Sequence, residues 1–208
     1  MKYNEVKKQH LLKDHKKRIG KSLDFQYITV HNTANPDSSA EDERAWLDNK
    51  NNTSTTGWHI VVDEFEAIEA IPLSEVAHHA GDGKSGPGNN KSIGIEICEF
   101  GNYAKSEQNA IELIASILIE KNWGTDRVKP HKHWSGKQCP RLILPYWDDF
   151  IKRIGEEIKK QKNNEVSSWA KEAHEWVIKN NISDGTRPKA PVTREEVWTM
   201  LYRFKAGE

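Results

Sequence analysis

The chain reads as an α/β protein with a mixed central sheet flanked by helices over residues 23–160, followed by a small helical module. Three observations lead there. Short runs rich in β-branched and aromatic residues, LDFQYITVHNT, GWHIVVDE and SIGIEICEF, alternate with stretches of helical spacing, as strands interleaved with helices do. SIGIEICEF is apolar almost throughout, the character of a strand buried on both faces near the middle of a sheet. The polar stretch QKNNEVSS then separates this region from two further amphipathic segments.

Taken in order, residues 1–22 form a basic N-terminal arm. Residues 1–23 carry eight Lys/Arg against Glu5 and Asp14, although the whole chain is formally neutral. Such an arm is either a solvated, partly helical extension or a patch attracting phosphate-rich polymers or anionic membranes. The strand 23–33 has His31 at its end, where side chains converge on a site. SSAEDERAWLDNK is a helix capped near Ser38 or Ser39, with Ala45, Trp46 and Leu47 inward. GWHIVVDE (57–64) and EAIEAIP (66–72) are the next two strands. HHAGDGKSGPGNNKS (78–92) is a long Gly-rich loop, a kind that is functional or disordered in compact domains. Within the central strand, Glu96 alternates with Ile95 and Ile97 and so points away from their face. Residues 106–123 place Ile111, Ile114, Ala115 and Leu118 at helical spacing, and 146–162 form another amphipathic helix. The module 161–208 holds the helix WAKEAHEWVIKNN, the turn ISDGTRPKAPV and a second helix opened by Thr193 and Glu196 at capping-box spacing.

Mean hydropathy is −0.83 and no apolar run approaches the length of a membrane span. Residues 1–17 are basic but lack the apolar core of a secretory signal. Of the two cysteines, Cys98 falls in the apolar strand, where a buried thiol is ordinary. Cys139 falls in the polar turn KPHKHWSGKQCP (129–140), beside His131, His133 and Lys137. A thiolate and imidazoles favour zinc over magnesium or calcium, and three protein ligands leave a fourth position for water. Solvated loop histidines are equally a feature of such turns.

ITVHNTA, GWHIVVDE, HHAGDG, SIGIEIC and HKHWSGKQCP occur in the order seen in type 2 zinc N-acetylmuramoyl-L-alanine amidases. The chain resembles that family, which includes phage lysozyme-type amidases and peptidoglycan-recognition proteins, across most of 23–160. The resemblance implies a mixed sheet with a zinc cleft, and Zn2+ ligands at His31, His131 and Cys139. His133 is the competing histidine in the same turn. The resemblance also implies Lys137 as the group that stabilises an oxyanion, and Glu96 as the proton-transferring carboxylate, with Glu99 as the weaker alternative. A buried carboxylate in so apolar a strand is costly without a purpose or partner. Some relatives carry a tyrosine where Trp58 stands, which puts a tyrosine-assisted mechanism in doubt here and shifts weight onto Glu96. Trp58 and His79 are candidate substrate-binding residues, and His59 resembles a packing histidine.

The module also resembles one S-layer homology repeat, which implies binding to secondary cell-wall polymers through Asp184, Gly185 and Arg194. The expected function is peptidoglycan hydrolysis by an endolysin or autolysin, between N-acetylmuramic acid and L-alanine, with no nucleic-acid partner. The alternatives are a non-catalytic peptidoglycan-binding module and a zinc peptidase acting within the stem peptide. The absent leader leads us to expect synthesis in the cytoplasm and access to the wall after holin-type release or lysis.

Overall fold

Six strands join in one sheet of a computed structural model that describes residues 1–206. They are β1 (Lys7–Lys8), β2 (Tyr27–Asn32), β3 (Ile60–Val62), β4 (Ala67–Glu69), β5 (Ser92–Ile97) and β6 (Val128–Pro130). Their order across the sheet is β1-β4-β3-β5-β2-β6. β3 and β4 run antiparallel as neighbours, and the other four neighbouring pairs run parallel. This is the mixed α/β sheet that the sequence predicts.

Register sets what each face carries. β2 and β5 align Ile28 with Ile93 and Val30 with Ile95, which places these fully buried side chains together on one face. The alternate positions pair Thr29 with Gly94 and His31 with Glu96, so the polar side chains share the opposite face. The helix α3 (Tyr103–Glu120) packs on β3 and β5 and buries Ala110, Ile111, Leu113, Ile114, Ile117 and Leu118. It starts three residues earlier than its apolar spacing suggests, because the Asn102 side chain accepts a hydrogen bond from the Lys105 N–H and caps it.

The helix α1 (Ala40–Asp48) is capped by Ser39, with Asp42 completing a capping box. Packed on β3 and β4, the helix turns Ala40, Glu43 and Leu47 inward while Ala45 and Trp46 are exposed, contrary to the expected inward face. The Gly-rich loop is ordered by its own polar groups and ends in the short helix α2 (Pro87–Lys91). Asp82 accepts from the Gly88 N–H, and Asn89 Oδ1 accepts from the His79 and Ala80 N–H groups. Two edge strands, β1 and β6, have no counterpart in the sequence reading. At two and three residues they are too short to show an alternating pattern.

Residues 1–22 are not a free arm. β1 hydrogen-bonds to β4, and Val6, Leu11 and Lys17 are buried. Tyr3 donates to Glu69 at 2.7 Å, and His10 lies 2.8 Å from the other oxygen of that carboxylate. Lys7 pairs with Glu66 and Arg18 with Glu75, while Lys16 and Lys17 donate to the Asn52 and Ser54 carbonyls. Lys7, Lys16, Lys17 and Arg18 thus hold partners in the fold, although only Lys17 among them is buried.

The chain divides into units Met1–Glu157 and Ile158–Glu208. After α4 (Lys132–Ser135), the helix α5 (Trp147–Asn164) runs across that division, three residues from the boundary expected after residue 160. The second unit contains α6 (Lys171–Lys179) and α7 (Arg194–Ala206). Thr193 and Glu196 form the expected reciprocal cap of α7. In the intervening turn, Asp184 accepts from the Thr186 N–H and hydroxyl, and His174 donates to the Gly185 carbonyl. Gly185 has φ +71, and a Cβ there would lie 2.3 Å from Ile178, so this turn requires glycine.

Candidate metal centre and catalytic cleft

The polar residues gather at the C-terminal ends of three parallel strands, where open α/β sheets generally place ligands. His31 is the penultimate residue of β2, Glu96 that of β5, and His131 follows directly after β6. The His131 N–H donates to the Val30 carbonyl, which continues the β2–β6 pairing and turns the ring toward His31. Gly136, at φ +77, then reverses the chain after α4. The Lys132 N–H donates to the Cys139 carbonyl at 2.9 Å, closing the turn and returning the thiol to the histidines. Trp134 ties the turn to the sheet by donating to Thr29 Oγ1 at 2.8 Å.

Ligand atoms of His31, His131 and Cys139 consequently lie within 4.8 Å of one another, and all three residues are buried. His31 Nδ1 is 3.8 Å from Cys139 Sγ and 3.8 Å from Glu96 Oε1. Burial first, then the neighbouring imidazoles and Lys137, holds the His31 pKa well below its usual value. His131 is lowered too, by burial and then by Lys137. Both rings are therefore neutral near pH 7, the form that coordinates metal. Burial pushes the Cys139 thiol up to about 11, against a lowering contribution from the Asn32 backbone N–H.

The residues fit a zinc ion on two structural grounds. Both ring nitrogens of His131 are buried without a hydrogen-bond partner, the nearby Ala80 backbone falling short of bonding geometry. Buried polar atoms so placed are costly unless something binds them. The donor set, two imidazoles and one sulfur, is also of the softness zinc takes.

Glu96 is half-buried, its inaccessible Oε2 has no hydrogen-bond partner, and its pKa is raised to about 8. Desolvation is the main cause; the charges of Glu43 and Glu99 add to it and Lys137 opposes it. Glu99 is bound instead to Arg141, which donates to both of its oxygens. His133 is exposed and meets the Trp134 ring edge-on, outside the cluster. Lys137, His79 and His131 line a cleft of about 530 Å³, together with Thr55, Lys84 and Ser135. His79 is nearly inaccessible within it, at 4% exposure.

Trp58, expected in a substrate groove, is instead buried in the apolar cluster with Leu11, Leu47, Val61 and Ile68. It is not among the residues that line the cleft. His59 is a satisfied structural residue, placed between the Glu75 carbonyl and the Gly94 N–H. In the second unit Asp184 and Gly185 line a groove of about 920 Å³, whereas Arg194 is exposed at the start of α7 outside that lining. Sequence reasoning missed Asn32, whose side-chain oxygen accepts from the Leu142 N–H at 3.0 Å and ties β2 to the segment after Cys139. It also missed Gly94, for which the signal was a glycine inside an otherwise apolar strand.

Fold and site together define an α/β domain in which three side chains that could hold a metal ion lie beside a half-buried carboxylate. The chain belongs to the N-acetylmuramoyl-L-alanine amidase family, whose model matches residues 21–142. It is 44% identical over 162 residues to the N-acetylmuramoyl-L-alanine amidase XlyB of Bacillus subtilis (strain 168), covering 74% of this chain and 50% of XlyB. It is likewise 44% identical over 197 residues to the amidase CwlA of that strain, covering 88% of this chain and 71% of CwlA. The solved catalytic domain of XlyA superposes with a TM-score of 0.68 at 43% identity, over 72% of this chain and 99% of that one. A mutant endolysin from Bacillus subtilis superposes with the same TM-score of 0.68, at 43% identity, over 72% of this chain and 98% of that one. The chain spans 50% of the length of XlyB and 60% of that of the related amidase CwlH.

Proposed function

We propose that the protein is a zinc-dependent N-acetylmuramoyl-L-alanine amidase, a peptidoglycan hydrolase of the endolysin or autolysin kind. The observation that carries this reading is the meeting of His31, His131 and Cys139 donor atoms within 4.8 Å, with the half-buried carboxylate of Glu96 alongside. His31, His131 and Cys139 would hold the ion. Bound there, zinc supplies Lewis acidity toward water and the scissile amide carbonyl.

The remaining chemistry belongs to the side chains. Glu96 accepts the proton of the attacking water and delivers it to the departing L-alanine nitrogen as the C–N bond breaks. A carboxyl whose pKa is lifted toward neutrality suits both halves of that exchange. The Lys137 ammonium, on the cleft wall, stabilises the negative charge that develops on the carbonyl oxygen. With Trp58 in the core, no ionisable group stands at its position to share this work. The second unit would hold the enzyme to secondary cell-wall polymers through the turn at Asp184 and Gly185, with Arg194 nearby in sequence. Basic residues of 1–22 that remain on the surface would add attraction to anionic walls or membranes.

Two measurements test the reading together. Wild-type protein is expected to bind one zinc per chain and Cys139→Ser to bind much less. Mass spectrometry of digested sacculi is expected to show new L-alanine amino termini. Cuts between stem-peptide residues would indicate a peptidase, and intact wall with bound protein would leave a binding module.

A further inference from the structure

We infer that His79 is a positioning residue, which fixes His31 in the tautomer whose Nδ1 lone pair faces Cys139 and Glu96. The ligand is thus set before any ion arrives. The inference rests on the zinc reading above.

The proton accounting begins at the backbone. His79 Nε2 lies 3.1 Å from the Ser92 carbonyl oxygen, which can only accept, so this nitrogen carries the proton. A neutral imidazole has a single N–H, and His79 Nδ1 is therefore an acceptor. It lies 3.1 Å from His31 Nε2, which must be the donor of that contact. The one proton of neutral His31 is thereby committed, and its Nδ1 is left bare. That nitrogen is the one 3.8 Å from both Cys139 Sγ and Glu96 Oε1. The opposite tautomer would set two lone pairs against each other in a buried site and aim an N–H at the ion's position.

His79 is held for this task by its surroundings. Its N–H donates to Asn89 Oδ1 at 2.8 Å, which fixes the backbone. Its ring occupies the space above Gly94, where a Cβ would approach the His79 ring atoms Cγ and Nδ1 at 2.7 and 2.8 Å. Any larger residue at position 94 would displace the ring. His59, edge-on to His79 at 5.6 Å, does not compete for the contact. Its proton goes to the Glu75 carbonyl at 2.8 Å and its other nitrogen accepts from the Gly94 N–H at 2.9 Å. Ligating histidines commonly have their second nitrogen fixed by a carbonyl or carboxylate; here another histidine relays a backbone carbonyl.

The test uses the full chain, stripped of metal and 15N-labelled, with long-range 1H–15N spectra reporting the imidazole tautomers. In wild type, His31 is expected to carry its proton on Nε2. His79→Phe removes the acceptor and should give a mixture of tautomers, and zinc affinity measured by chelator competition should fall about 10–100-fold. His79→Gln offers an amide oxygen to the same His31 N–H and should recover most of the affinity and the single tautomer. Gly94→Ala, which leaves His79 chemically intact but crowds its ring, should resemble His79→Phe and serves if that variant fails to fold. A wild type that binds zinc while His31 carries its proton on Nδ1 overturns the inference and leaves the zinc reading intact. So do folded His79→Phe and Gly94→Ala proteins with wild-type affinity. A wild type that takes up no zinc overturns the zinc reading and the inference with it.

Discussion

At the scale of single residues, Glu96 shows how one side chain's chemistry is made by its neighbours. Its pKa in the metal-free fold is about 8, against 4.5 for an ordinary glutamate, chiefly because burial penalises the charged form. Between those values the folded chain holds a proton that the unfolded chain has released. Stability from this group therefore falls as pH rises from about 4.5 to about 8. Glu96→Gln removes the titration. The chelated variant is expected to lose less melting temperature between pH 5 and pH 9 than the chelated wild type, and parallel curves would contradict the assignment. The same substitution should lower kcat on peptidoglycan by about 10²–10⁴-fold, the range for loss of a general acid–base. Zinc content should be unaffected, which separates proton transfer from metal retention.

Among the elements, the N-terminal segment has the role least expected of its composition. A run of lysines and an arginine reads as a solvated arm, yet β1 extends the sheet at β4 and Leu11 enters the apolar cluster with Trp58 and Ile68. Leu11→Ala is expected to destabilise the fold by about 2–5 kcal/mol, the cost of a core leucine cavity. Urea unfolding would measure it. A surface arm would show no more than a few tenths. Lys16 and Lys17 matter differently, because their ammonium groups hold the Asn52 and Ser54 carbonyls just ahead of Thr55 and Thr56 in the cleft wall. Lys17→Met keeps the buried stem but gives up the donor. It should raise KM for wall fragments more than it lowers kcat, as shown by steady-state kinetics on soluble muropeptides.

For the whole molecule, the division at residue 157 separates the chemistry from the helical module. The solved catalytic domain of XlyA, matched over 99% of its length, has a counterpart here within 72% of the chain. Ending the chain after Asn164 should therefore leave kcat/KM on soluble fragments within about twofold, since His31, Glu96, His131 and Cys139 all precede that point. Co-sedimentation with intact sacculi should weaken if the module binds wall polymer. Equal sedimentation of both lengths would reduce the module to a passive appendage.

Much of this was legible in the residues themselves. Apolar runs and helical spacing mark β2, β3, β5, α3 and α5 within a few positions, because burial imposes periods that local sequence must carry. The turn at 129–140 shows its donors openly, and Cys139 with either neighbouring histidine could be read as a ligand pair. Choosing His131 over His133, and Glu96 over Glu99, took the resemblance; in the fold His133 is exposed and Glu99 is bound to Arg141. The rest required three dimensions. The inward face of α1, the burial of Trp58, the two short edge strands and the hold of His79 on His31 depend on partners 30 to 60 residues or more away in the chain. Sequence determines which groups are available and which face of an element each occupies, because those are local properties. Which buried groups meet, and which proton each one keeps, is decided by strand register and packing, which no local pattern records.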